Sequence, residues 1–238
     1  MLISIIIPVH NEAENIGQLI GEIGMLSLNY SYQIVVVDDA SYDNTYAVLS
    51  EIKMNMPHLK IIRHKEKYGQ SAAIATGVAH ADGELIVTMD GDGQNDPADI
   101  PGLISTLLSN KRCRMVVGYR KRRKDSYWRN ITSKIANQVR SALLKDHTPD
   151  TGCGLKIFYK SSFTSLPFFD HMHRFLPALI QMQGGEVISE EVKHRTREHG
   201  KSNYGTLDRM WAGIIDLMGV YWLRLRSKKV LFREGADE

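Results

Sequence analysis

The chain has 238 residues, 43% of them hydrophobic and 24% charged, and its formal net charge is +3. This is globular composition, long enough to bury a substantial core; it excludes a disordered chain, and so small a charge names no partner. Two cysteines, Cys113 and Cys153, are too few for a disulfide framework.

Met1 to Pro8 is apolar but short and lacks a basic leader, so Leu2 to Pro8 reads as a buried first strand and not as part of a signal peptide. Asn11 to Ile23 follows with helical spacing, with Ile16, Leu19, Ile20 and Ile23 on one face. Gln33 to Val37 is a second strand ending at Asp38-Asp39, and Asp43 or Asn44 can cap the helix that carries Ala47, Val48 and Ile52. Leu59 to Arg63 is a third strand, Ser71 to Ala79 a helix of small residues, and Glu84 to Met89 a fourth strand ending at Asp90. A helix started by Pro97 and a fifth strand, Met115 to Gly118, continue the alternation. Strands alternating with helices predict an α/β fold with a mostly parallel sheet. Polar clusters close each strand at its C-terminal end, where open α/β sheets bind ligands.

Beyond residue 120 the pattern loosens. Tyr127 to Leu144 carries a helical stripe, Asp150 to Gly154 reads as a loop, and Leu155 to Tyr159 and Glu186 to Lys193 as short strands. Leu207 to Leu225 reads as a helix with an apolar stretch, Met210 to Leu223, interrupted by Asp216. No apolar run reaches about 18 residues, so no helix is expected to cross a bilayer. Basic residues crowd Arg114 to Arg129, and Arg120 to Lys124 are all cationic, which suits either a solvated loop or an anionic surface.

The strongest chemical signal is Asp90-Gly91-Asp92-Gly93-Gln94 after an apolar strand. Asp90 and Asp92 can place oxygens on one hard divalent cation, and the glycines allow close backbone approach. A calcium-binding EF-hand loop is excluded, because Asn95 and Pro101 stand where Gly and Glu are required. A second acidic pair, Asp38-Asp39, can simply build a turn. Two acidic strand ends in one parallel sheet nevertheless repel unless a cation relieves them, and together they point to a nucleotide site.

Five segments, in order, resemble family 2 glycosyltransferases of the GT-A fold, and within them the dolichol-phosphate mannosyltransferase and polyprenyl-phosphate glycosyltransferase group. They are Ile5 to Glu12, Val36 to Thr45, Met89 to Gln94, Gly118-Tyr119-Arg120 and Arg197 to Tyr204. The resemblance implies a Rossmann-like, mostly parallel sheet flanked by helices, with interfacial helices at the C-terminal end. It implies a single catalytic domain over 1–238, with 1–120 binding the nucleotide-sugar and 121–238 facing acceptor and membrane. Pro8, His10, Asn11, Glu12, Val37, Asp38 and Asp39 would line the donor pocket, and Asp90, Gly91 and Asp92 would meet the diphosphate. Asp90, Asp92 and Gln94 would be ligands to Mg²⁺ or Mn²⁺. Arg120, Arg129, Lys134, Arg197 and Ser202 would hold phosphates of donor or acceptor, with Asp92, Arg120 and Arg197 carrying the catalysis. The sequence departs from the family at Ala40, where Gly is frequent, at Lys134, where Arg is usual and Arg129 is the alternative, and at Asn203, where many relatives carry Lys.

The implied reaction moves a hexose from GDP-mannose or a UDP-hexose to dolichyl or undecaprenyl phosphate. A lipid phosphate is already ionised, so it needs no general base, and direct attack implies inversion. Trp211, Ile214, Ile215, Leu217, Met218, Tyr221 and Trp222, followed by Arg224, Arg226, Lys228 and Lys229, suit an interfacial helix, a domain-packing helix or a dimer contact. The expectation is a cytoplasmic protein, peripheral on the inner face of a membrane, with a membrane partner or homo-oligomer as further options and no nucleic acid. Rival readings are a sugar-hydroxyl acceptor in polysaccharide or cell-envelope synthesis, a nucleotidyltransferase, and a non-catalytic membrane- or nucleic-acid-binding module. Gly200-Lys201-Ser202 is no P-loop, since Arg195 stands where Gly is needed, and His171 and His173 lack the partners of a zinc site.

Overall fold

The computed structural model describes residues 1–120, 139–196 and 206–227, with side chains of the last segment from Gly213 onward. The sheet contains β1 (Leu2–Val9), β2 (Ser31–Asp38), β3 (Leu59–Arg63), β4 (Leu85–Thr88), β5 (Cys113–Tyr119), β6 (Lys156–Tyr159) and β7 (Glu186–Glu191). Their order across the sheet is β3-β2-β1-β4-β6-β5-β7. Every pairing is parallel except those of β6, which runs against both β4 and β5.

The helices are α1 (Ala13–Gly24), α2 (Thr45–Asn55), α3 (Gln70–His80), α4 (Ile100–Ser109), α5 (described over 139–144), α6 (Lys160–Thr164), α7 (Leu176–Met182) and α8 (Thr206–Arg226). Successive strand residues point to opposite faces. In β1, Ile3, Ile5 and Ile7 therefore pack against α1 and α4, while Ile6 packs on the other side with α3 and α7. All four are fully buried. Each such side chain contributes roughly 1.5–3 kcal/mol of hydrophobic stabilisation. This two-sided burial is why β1 reads as an apolar run broken only by Ser4.

The structure corrects several boundaries. The first helix starts at Ala13, because Asn11 takes a left-handed conformation (φ 58°) and its side chain accepts from the Tyr42 N–H at 3.0 Å. Asn44 makes no side-chain cap; Asp43 accepts from the Thr45 N–H instead, at 3.0 Å. Pro97 opens a 3-10 turn, Pro97–Asp99, that leads into α4. The last strand stops at Glu191, short of Lys193. The helical stripe expected from Tyr127 lies outside the described residues as far as residue 138. Helix α8 packs Leu217, Val220, Tyr221 and Leu223 on the core and exposes Ile214, Ile215, Met218, Trp222 and Leu225.

Gly83 holds β4 against β1. Its N–H donates to Ser4 Oγ at 2.9 Å, and a Cβ there would lie 2.7 Å from that oxygen and 2.8 Å from the backbone of Leu2 and Ser4. Gly83→Ala should therefore cost about 2 kcal/mol, the usual scale of overpacking. Thermal denaturation should show Tm falling by roughly 4–8 °C.

Candidate active site

Parallel pairing brings the strand ends into line. Pro8 pairs with Val37 and Val9 with Asp38, so the segments after β1 and β2 leave the sheet side by side. The Val37 side chain is fully buried and supports this region from beneath. Asp38 is buried too, accepting from the Ser41 N–H at 2.8 Å and facing Arg63 Nε at 3.3 Å. Ala40 adopts φ 56°, a left-handed conformation that a glycine would take without strain. His10 Nδ1 lies 2.8 Å from the Asp39 carbonyl, and its ring meets the exposed Tyr42 edge-on at 5.7 Å. Asn11 N–H donates to Ser41 Oγ, and Glu12 N–H to Thr45 Oγ1, both at 2.9 Å.

Asp39 does more than its sequence position suggests. Its carboxylate accepts from the Tyr68 and Gly69 N–H groups, each at 2.8 Å, and sits 2.7 Å from His64 Nδ1. His64 Nε2 continues to Thr76 Oγ1 at 3.0 Å. The β3–α3 loop is thus pinned to the end of β2. Sequence reasoning missed His64, Tyr68 and Gly69; the signal available was a lone Gly opening a helix of small residues.

The second acidic strand end follows β4. Asp90 turns its carboxylate inward, where Gln70 Nε2 donates to it at 2.8 Å and a Cβ on Gly154 would collide with it. Burial, then the charge of Asp92, push its pKa up to about 6, against the opposing pull of Lys156, Arg120 and the Gln70 hydrogen bond. Gly91 lies on β1, where a Cβ would be 2.6 Å from Val9 and 3.2 Å from the Pro8 carbonyl. Asp92 accepts from the Gln94 N–H at 3.1 Å, and Gly93 takes φ 72°.

A small cavity beside Asp90 is lined on its polar side by Gln70, Thr88, Lys156 and His173 and on its apolar side by Ile74, Met89 and Leu176. Burial lowers the pKa of Lys156, whose ammonium donates to the Cys153 carbonyl. Burial also drives His173 well below its usual range, and its Nδ1 lies 2.7 Å from Ser71 Oγ. The reversed strand explains this arrangement: Thr88 pairs with Lys156, so β6 begins where β4 ends.

Arg120, just past β5, is paired with Asp150 at 2.6 Å. Arg195 ties the segment after β7 to the acidic turn: its N–H donates to the Gln94 carbonyl at 2.9 Å, and its guanidinium reaches Glu22 at 2.6 Å and Asp96 at 2.9 Å. Asp150, Lys156, Arg195 and Gly154 were not singled out from sequence as site residues. Arg129, Lys134, Arg197 and Ser202 lie outside the described residues.

Residues 4–166 match the glycosyl transferase family 2 domain. The chain belongs to that family. It is 34% identical over 233 residues to a dodecaprenyl-phosphate galacturonate synthase of Rhizobium johnstonii, covering 95% of this chain and 68% of the relative. It is also 34% identical over 209 residues to an undecaprenyl-phosphate 4-deoxy-4-formamido-L-arabinose transferase of Proteus mirabilis, covering 86% of this chain and 63% of that protein. The chain thus spans about two thirds of the length of these relatives. Among solved structures, mannosyl-3-phosphoglycerate synthase from Rubrobacter xylanophilus superposes with a TM-score of 0.71 at 18% identity, over 99% of this chain and 78% of that one. Glucosyl-3-phosphoglycerate synthase from Mycobacterium tuberculosis, crystallised with Mn²⁺, UDP-glucose and glycerol 3-phosphate, superposes with a TM-score of 0.67 at 19% identity, over 96% of this chain and 81% of that one. The GT-A glycosyltransferase fold expected from the resemblance is the fold observed.

Removing the Asp39 carboxylate would strand two backbone N–H groups and His64. Each buried donor left unsatisfied costs about 1–3 kcal/mol. Asp39→Ala should therefore lower stability by about 2–4 kcal/mol. Hydrogen exchange should show the amides of Tyr68 and Gly69 losing protection before the β1 amides do.

Proposed function

We propose that this family 2 glycosyltransferase moves a hexose from a nucleotide-diphosphate sugar to a polyprenyl phosphate, with inversion, on a membrane surface. The observation that carries the reading is the meeting of Asp39, Asp90, Asp92 and Arg120 at one edge of the sheet, where β1, β2, β4 and β5 all end. The names of the curated relatives support a polyprenyl-phosphate acceptor.

Asp92 and Gln94, with Asp90 beneath them, are the residues that would hold Mg²⁺ or Mn²⁺. The donor set fits such an ion: it offers oxygen ligands, and burial, then the charge of Asp92, push Asp90 toward its protonated form, a repulsion between carboxylates that a dication would relieve. When bound, the ion stabilises charge developing on the departing nucleoside diphosphate. The chain's own residues orient both substrates. His10, Tyr42 and the pinned loop at Tyr68 flank the donor's nucleoside, and Gly91 lets the diphosphate approach the backbone. Arg120, with Arg129, Lys134, Arg197 and Ser202, draws in the second anion, a role suited to the guanidinium fork. An ionised phosphate oxygen attacks the anomeric carbon directly, so no side chain has to remove a proton.

The membrane contact in this reading is α8. Its exposed Ile214, Ile215, Met218, Trp222 and Leu225 form one apolar strip, and Arg224 and Arg226 close the helix. No helix among the described residues is long and apolar enough to cross a membrane. An aromatic-apolar face ending in cations is suited to lie in the headgroup layer of an anionic bilayer.

A panel of GDP- and UDP-sugars with Mn²⁺ or Mg²⁺ and dolichyl or undecaprenyl phosphate should release nucleoside diphosphate for one donor. Asp92→Asn should reduce that turnover by roughly 10³-fold, as expected for losing several kcal/mol of charge stabilisation. Full activity after chelation, or an unaffected Asp92→Asn, would remove Asp92 from the metal site. On flotation, the chain should rise with phosphatidylglycerol-containing vesicles and not with phosphatidylcholine alone. Ile215→Ser with Trp222→Ser should abolish that flotation while leaving the melting curve unchanged; persistence of binding would move the contact elsewhere.

A further inference from the structure

The family resemblance marks Arg120 as a phosphate contact, but nothing in the sequence says what aims it. In the structure its Nε donates to Asp150 Oδ2 at 2.6 Å and its Nη2 to Asp150 Oδ1 at 3.0 Å. Its backbone N–H also reaches Oδ2, at 3.4 Å. This is a two-toothed ion pair between side chains that are only 9% and 10% exposed. Such a fork fixes the plane of the guanidinium as well as its position.

The loop that carries Asp150 is itself braced. The Gly152 N–H donates to Asp150 Oδ1 at 3.2 Å, and a Cβ on Gly152 would sit 3.4 Å from Arg120 Nη2. Upstream, Asp146 accepts from the Thr148 N–H at 3.3 Å, and the buried Arg140 donates to the Thr148 carbonyl and faces Asp146 at 3.6 Å. Arg140 thus steadies the loop and the loop steadies Arg120. The charge of Arg120 is in turn felt at Asp90, so the guanidinium belongs to the acidic strand-end site.

A guanidinium has five N–H donors. Asp150 takes Nε–H and one edge of Nη2, and no hydrogen bond or ion pair among the described residues engages Nη1. We infer that Asp150 is a positioning residue that clamps Arg120 with its Nη1 edge turned to the acceptor's phosphate, and that it is not a proton-accepting base. Both its oxygens accept from Arg120, and Oδ1 accepts from Gly152 as well, so removing a proton from a hydroxyl acceptor would require the clamp to open. An acceptor that arrives ionised asks nothing of it. The assignment rests on the polyprenyl-phosphate reading for the identity of the anion, but not for the clamp itself.

The test is a double-mutant cycle on the full chain with undecaprenyl phosphate in detergent, using Asp150→Asn, Arg120→Ala and the pair together. Each single change should lower kcat/KM for the acceptor by about 100-fold, the scale of breaking a buried charge pair. The double variant should lose no more than the worse single. In Asp150→Asn, which leaves the Arg120 charge in place near Asp90, calorimetric binding of nucleoside diphosphate with Mn²⁺ should stay within about twofold of the parent, because the clamp serves the other substrate. The pH profile of kcat in Asp150→Asn should keep its parent shape. Losses that multiply, or loss of the acidic limb with the acceptor KM unchanged, would overturn the positioning role in favour of a base. A second readout needs no substrate: the Arg120 Nε–H resonance, identified by its disappearance in Arg120→Lys, should exchange slowly in the parent and rapidly in Asp150→Asn. Slow exchange retained in Asp150→Asn would refute the clamp, whatever the acceptor proves to be. Slow exchange lost, with no transfer to any polyprenyl phosphate, would leave the clamp standing and reject the acceptor.

Discussion

Asp90 is a carboxylic acid turned into the protein with another carboxylate two residues away, and the remainder of the site is organised around tolerating it. Burial and the neighbouring Asp92 both disfavour its charge. Gln70 supplies a hydrogen bond, Lys156 and Arg120 supply opposite charge, and Gly154 supplies the room. These partners come from α3, β6, the end of β5 and the loop before β6, so one acid draws four separate parts of the chain to one point. Lys156 is itself buried at a cost that Asp90 partly offsets. Neither group would sit there comfortably without the other.

The first acidic strand end solves a different problem. Asp39 spends its carboxylate on the backbone of Tyr68 and Gly69, and so converts the β3–α3 connection into a fixed wall beside His10 and Tyr42. A loop ordered in advance does not have to lose its freedom when a ligand arrives, which is the usual benefit of preorganisation. Arg195 makes a comparable tether on the other flank, reaching both α1 through Glu22 and the turn at Asp96.

How much of this could be read from the sequence follows from how far apart the interacting residues lie. The strands β1, β2, β4 and β5 were legible because burial on both faces favours apolar, β-branched runs, whereas β3 at the sheet's edge is only half-buried, and the acidic tips were legible because Asp-Gly-Asp-Gly is locally unusual. The direction of β6 was not legible: Leu155 to Tyr159 reads the same whichever way it pairs. Lys156 was consequently not singled out, and its place near Asp90 emerges only once Thr88 is seen opposite it. Asp150 was read as part of a loop because its partner lies thirty residues upstream. The role of Asp39 as a loop anchor was hidden for the same reason, with Gly69 thirty residues downstream. Asn11 shows the opposite limit: helical spacing carried the expected helix too far back, because a left-handed residue and a side-chain turn interrupt it.

The reversal of β6 also shapes what this scaffold can become. Because β5 runs toward the active edge and β6 runs away from it, the chain between Tyr119 and Lys156 leaves and re-enters the sheet at that same edge. That excursion has both feet in the site and neither in the far side of the core. Both feet are held by the acid they flank, since Arg120 at one end and Gly154 at the other answer to Asp90. A change of acceptor written into this insert would have to leave those two anchors in place.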